Sequence, residues 1–188
     1  NNANWIFEQH SHNPSEFFEL RSWLLSKFLW NPKLNYANLL QEFSNNYYGA
    51  AAPFIVRYLN NLHAAINETP KFYLFLYGDP AQGFESWLSD QKLKQYNSLF
   101  DSASQVTAGN KALQARVHEA RIGLDFATLE FYRLNKTSFP LSDASAIQKR
   151  VDRFTSATNA QGIKIINEMG LPLTDYLQGY QKLVAGAK

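Results

Sequence analysis

The residues best placed for chemistry stand near the start of the chain. Glu8, His10 and His12 are spaced i, i+2 and i+4. On a strand that period puts a carboxylate and two imidazoles on one face, a set able to hold a divalent metal. If the extended run stops at Phe7 or Glu8, the same residues lie in a solvated loop, and no metal site is assigned. His63 and His118 stand alone in helical stretches, where a histidine is ordinarily a surface or hydrogen-bonded residue, so neither receives a catalytic role. There is no Cys, which excludes thiolate metal centres, disulfides and cysteine nucleophiles. Gly-rich phosphate loops, a Gly-x-Ser-x-Gly elbow and a His-Glu-x-x-His helix are all absent from the sequence, so it implies no cofactor and no self-contained active site. The 14 Phe, 10 Tyr and 4 Trp could stack on sugar rings, but most fall on helical stripes and are assigned to the core. Trp5, Trp30, Tyr73 and Trp87 lie near element ends and are the candidate platforms. Arg121 and Asp125 form an i,i+4 pair, worth about 0.3 kcal/mol on an exposed helix.

The elements that must position these residues are almost all helical. Trp5-Ile6-Phe7 reads as one short strand or a loop. Asn13-Pro14 then opens a helix to about Trp30, whose apolar residues occupy most faces, the pattern of a central, well-covered helix in which Trp23 and Trp30 are structural. Asn31-Pro32 ends it, Asn35 caps a second helix closed by Gly49, and Pro53 opens a third with Ile55, Tyr58, Leu59, Leu62 and Ile66 on one stripe. Residues 69–88 break the pattern and read as an irregular aromatic-rich connection. Ser89 caps a fourth helix with Leu93, Tyr96, Phe100, Ala103 and Val106 inward. One long helix from Lys111 to Leu134 follows, then one from about Ser142 stopped by Gly162, then a short one carrying Leu173, Leu177, Tyr180 and Val184.

The fold class is therefore mainly α, a multi-helix array of about seven helices after a short strand. With 188 residues, 45% hydrophobic and 18% charged, the chain can bury a substantial core. A net charge of +2 without long runs of one sign disfavours nucleic-acid binding. No apolar run is long enough to span a membrane. Asn1, with no initiator Met and no signal-peptide pattern, suggests a processed or excised piece of a longer protein.

Several segments carry a resemblance. They are Phe7-Glu8-Gln9, the run from Glu19 to Pro32 (ELRSWLLSKFLWNP), Glu42-Phe43, Tyr47-Tyr48-Gly49 with Ala51-Ala52-Pro53, Tyr58-Leu59 and Leu62-His63. Over roughly Trp5 to Ile66 the chain resembles the domain-of-unknown-function 4838 family, which overlaps glycoside hydrolase family 163, endo-β-N-acetylglucosaminidases of gut Bacteroidetes. From Lys71 on, the match is only general. The resemblance implies a (β/α)8 barrel followed by a helical region. Residues 1–12 would be the last barrel strand and its loop, 13–68 a three-helix barrel-closing segment, 69–88 the connection and 89–188 a C-terminal helical region. Trp5, Glu8, Gln9 and His10 would then be substrate-binding residues at the barrel mouth, where strand C-termini point. The catalytic acids would lie on earlier strands, so none is assigned here, and the isolated chain is expected to be inactive. The implied partners are a preceding catalytic barrel and, through it, a glycan substrate; the implied location is the periplasm, cell surface or exterior of a bacterium. The competing reading is a self-standing helical module that binds a glycan or a protein.

Overall fold

The computed structural model describes Trp5 and residues 15–69, 79–134, 144–167 and 170–186. Eight α-helices are present among them: α1 (Phe18–Trp30), α2 (Tyr36–Tyr48), α3 (Ala52–Asn67), α4 (Asp90–Val106), α5 (Lys111–Ala120), α6 (Ile122–Leu134), α7 (Ala144–Ala160) and α8 (Leu173–Gly186). Short 3-10 turns occupy Gly49–Ala51 and Pro80–Gly83. No strand occurs among the described residues, only an isolated antiparallel bridge between Ile165 and Pro172. The fold is mainly α, as the apolar spacing requires. The strand-like run at Ile6-Phe7 lies outside the described residues.

Local chemistry sets the boundaries. Asn35 Oδ1 accepts from the Asn38 amide at 3.0 Å, and Asn110 Oδ1 accepts from the Leu113 amide at 3.1 Å, each satisfying an N-terminal donor. Ser89 occupies the N-cap position of α4 but makes no side-chain cap bond. Gly49 (φ +54°) and Gly162 (φ +68°) take the left-handed conformation that closes α2 and α7. Gly83 is required for a different reason: a Cβ there would lie 2.7 Å from the Trp87 ring, which is thereby seated in the core. That removes Trp87 from the candidate sugar platforms.

The helices pack in sequence order. α1 lies on α2, α2 on α3 and α3 on α4; α4 also meets α5 and α6, and α7 bridges α5 and α6 to α8. One contiguous apolar core runs through them, from Phe17 and Leu20 through Ile55, Tyr58, Tyr96 and Phe100 to Leu129, Phe154 and Tyr180. Edge-to-face contacts of Tyr58 with Tyr96 and Phe100, at 5.3 and 4.9 Å between centroids, join its two halves.

Three expectations are corrected. The Lys111–Leu134 run divides at Arg121 into α5 and α6, because the Arg121 side chain is drawn across to α4 and Gly123 weakens the helix just beyond. The first helix is not central. Eight of its thirteen residues are apolar, yet only Leu20 is buried, while Leu29 is 46% and Trp30 92% exposed. A helix apolar all round reads as covered on all sides, but among the described elements α1 packs chiefly on α2, with only side-chain reach to α3 and α5. Val106, expected inward, is exposed at the last residue of α4, beyond its neighbours' reach.

The Arg121–Asp125 pair is also far more than a surface contact. Asp125 is buried, and its carboxylate accepts from Arg150 Nη1 at 2.7 Å, Arg153 Nε at 2.7 Å and Arg153 Nη2 at 2.6 Å, with Arg121 Nε 3.3 Å away. Arg121 turns its other nitrogens to Asp101 Oδ1 at 2.6 Å and Asn97 Oδ1 at 2.9 Å on α4. Burial by itself would raise the Asp125 pKa, but the three guanidinium groups overcome this and hold it below the usual carboxylate range. Its stabilising contribution is present above the unfolded carboxylate pKa and lost as pH falls through the lower folded value. Removing one member of such a set strands buried charge, so Asp125→Ala should destabilise the chain by about 3 to 5 kcal/mol in urea unfolding. Trp30→Ser should change stability by less than about 0.5 kcal/mol.

Candidate functional site

Among the described residues, two concave sites lie against α1. The larger, about 370 Å³, is formed by the turn before α1, by α1 itself, by Tyr36 at the start of α2 and by α3. Phe17, Leu20, Leu24, Leu59 and Leu62 give its apolar lining, and Ser15, Glu16, Arg21, Tyr36 and His63 its polar groups. A pocket of this size with few convergent polar side chains is the usual form of a small-molecule site.

Its geometry begins with Phe17, whose φ of +54° is left-handed for a residue with a bulky side chain. Such a conformation costs about 1 to 3 kcal/mol and persists only where packing enforces it. Here the ring is buried between Tyr58, stacked at 6.0 Å, and Tyr48, edge-on at 6.4 Å. The turn delays the helix start to Phe18 and swings Glu16 inward. Glu16 Oε1 accepts from the Tyr58 hydroxyl at 3.1 Å, and Oε2 lies so near Gly123 of α6 that a Cβ there would be 2.3 Å away. Burial pushes the Glu16 carboxyl up to about 7, against the lowering effects of Tyr58 and Arg21. Arg21 donates to Ser15 Oγ across the pocket edge, and His63 faces Tyr36 with ring centroids 6.2 Å apart.

The second site, about 300 Å³, is lined by Trp23, Glu42, Phe43, Asn46, Tyr47 and Arg116. It has the composition of a sugar platform, but its rings are already engaged. Lys27 lies over Trp23 at 5.0 Å, Trp23 leans on Phe43 at 5.5 Å, Phe43 stacks on Tyr47 at 5.0 Å, and Arg116 covers Tyr47 at 4.3 Å. Arg116 Nη1 also donates to the Tyr47 carbonyl at 2.7 Å. This cation–aromatic ladder fastens α1 and α2 to α5. Beside it, burial and the neighbouring Glu19 carboxylate raise the Glu119 pKa to about 7, while Arg116 opposes the shift.

Of the residues singled out by sequence, Trp5 is 94% exposed and belongs to no element. Glu8, Gln9, His10, His12 and Tyr73 lie outside the described residues. No group of three or more metal-ligating side chains occurs among the described residues. His63, given no role by sequence, stands at the mouth of the larger pocket. Glu16 was missed as well: its only sequence signal is an acid just inside the Asn13-Pro14 helix start, where an exposed first-turn carboxylate is ordinary.

Helix α1 and most of the larger pocket's lining, all but Leu62 and His63, fall within the stretch where a family model matches. Residues 1–60 match the family described as Domain of unknown function (DUF4838). No curated protein and no solved structure matches the chain. The matched segment thus covers α1, α2 and the first part of α3, which carry most of both linings; Leu62, His63 and Arg116 lie beyond it.

Glu16 and Glu119 have folded pKa values raised above their unfolded ones. The stability they confer is complete below the unfolded value and lost as pH rises through about 7. For Glu16 the loss corresponds to about 3 kcal/mol at full ionisation. Urea unfolding measured from about pH 5 to about pH 8 should show this decline, and Glu16→Gln should remove the Glu16 share of it while leaving that of Glu119. Gly123→Ala should push the Glu16 carboxylate out of its buried seat toward solvent, relieving the burial that raises its pKa, and flatten the same profile.

Proposed function

We propose that this chain is the helical portion of a carbohydrate-active protein similar to the endo-β-N-acetylglucosaminidase-like glycoside hydrolases, and that it buttresses the catalytic barrel rather than carrying the catalytic acids. The observation that supports the reading best is the uncovered apolar side of α1. Leu29 and Trp30 are exposed on a helix that lies wholly within the DUF4838 segment. Apolar surface of this kind gains about 25 cal/mol per Å² when covered. In the proposed arrangement the barrel wall covers it, and Trp5, Glu8, Gln9 and His10 stand at the barrel mouth toward the glycan. The protein would act in the periplasm, at the cell surface or outside a bacterium. Among the described residues no helix is long and apolar enough to cross a membrane.

Glycoside hydrolysis needs an acid and a second carboxylate, or the substrate's own acetamido group, held across one walled pocket. The α1–α3 pocket has a single acid in its lining, Glu16, and both oxygens of that acid face protein atoms. A self-standing binding module is the second reading, and the α1–α3 pocket favours it.

One measurement tests the absence of catalysis that both readings share, and a second separates them. The isolated chain should release no sugar from chitobiose or N-glycan substrates; activity abolished by Glu8→Gln would overturn the supporting role. Leu29→Ser combined with Trp30→Ser should leave the isolated chain's melting temperature nearly unchanged but lower that of the complete parent protein by several degrees. Equal small effects in both would show that nothing covers α1 and would favour the module.

A further inference from the structure

The α1–α3 pocket has a feature that the buttressing role does not use: its one acid is hydrogen-bonded inward, within the field of Arg21, while its basic side chains are exposed. Glu16 is the only acid in the lining, and its two oxygens are turned to the Tyr58 hydroxyl and to Gly123, both outside the lining set. The basic side chains, Arg21 and His63, are both exposed at the opening, with the Ser15 and Tyr36 hydroxyls beside them. Beneath this rim lie the leucines of α1 and α3. The pocket thus pairs an apolar floor with a rim carrying hydrogen-bond donors and positive charge.

We infer that the α1–α3 pocket binds a small amphipathic carboxylate, whose head pairs with Arg21 and His63 and whose hydrocarbon part lies on Leu20, Leu24, Leu59 and Leu62. A guanidinium matches a carboxylate in a two-bond fork and is weakly hydrated, so Arg21 suits this head. Ser15 takes one of its five N–H donors, which leaves others for the ligand. The volume of about 370 Å³ accommodates a chain of several methylenes but not a folded partner. A primary amine is disfavoured because the one acid is turned inward and the Arg21 guanidinium repels it. This site is independent of the proposed barrel, and its test uses the isolated 188-residue chain.

The experiment is an NMR titration of the ¹⁵N-labelled chain with octanoate, with octanamide and octylamine as head-group controls. Octanoate should shift amides of α1 and α3 saturably, with a Kd of about 1 mM or tighter. Octanamide should bind at least about tenfold more weakly, a difference of about 1.4 kcal/mol. Arg21→Gln, at an exposed position that should not disturb folding, should weaken octanoate about tenfold while leaving octanamide unchanged, and His63→Gln should act in the same direction. Absence of saturable shifts on α1 and α3, equal binding of octanoate and octanamide, tighter binding of octylamine, or indifference to Arg21→Gln would each overturn the assignment.

Discussion

The buried carboxylate of Asp125 is the constraint around which the C-terminal half is arranged. A lone ionised group at its depth would be prohibitively expensive, so the chain must bring compensating donors to it. They arrive from α7 as Arg150 and Arg153 and from the α5–α6 junction as Arg121. Arg121 in turn engages Asn97 and Asp101 of α4, and Arg150 donates to Asn97 as well. Four helices are thereby fixed in one register. An apolar core alone tolerates sliding and rotation of helices; directional bonds to one carboxylate do not. The long helical run divides at Arg121, the residue whose side chain reaches from Asp125 across to Asn97 and Asp101 of α4.

The N-terminal half is organised differently. There the ordering groups are aromatic: Phe17 wedged between Tyr48 and Tyr58, and the ladder of Lys27, Trp23, Phe43, Tyr47 and Arg116. These contacts secure the inner side of α1 but leave its outer side open. The same helix supplies Arg21 and Leu24 near its start to the pocket, beside Glu16 of the preceding turn, and Leu29 and Trp30 to the uncovered end. Structure and proposed function therefore meet on one element, which is also inside the DUF4838 segment. The raised pKa values of Glu16 and Glu119 make the seating of α1 sensitive to pH near neutrality, because each acid is held where its charge is poorly solvated.

Much of the fold was legible from the residues. Asn35, Gly49, Pro53, Asn110 and Gly162 mark helix ends by chemistry that operates within a few residues, and the stripes Ile55-Tyr58-Leu59 and Leu93-Tyr96-Phe100 are buried as their spacing requires. The candidate site was scarcely legible. Glu16 and Gly123 are more than a hundred positions apart, and nothing local indicates that a helical glycine makes room for a distant carboxylate. Trp30 shows the converse failure: its apolarity signals burial, but sequence cannot say against what.

What the sequence determined by itself was the helical class, most element boundaries and the absence of thiol and phosphate-loop chemistry, because these depend on residue type and short-range spacing. Tertiary structure alone decided that Arg121 and Asp125 form a buried centre instead of a weak surface pair, that α1 is covered on one side only, and that Glu16 is held away from water. Those outcomes depend on which helices meet, and the energy of a charge or an indole is set by its surroundings rather than by its neighbours along the chain.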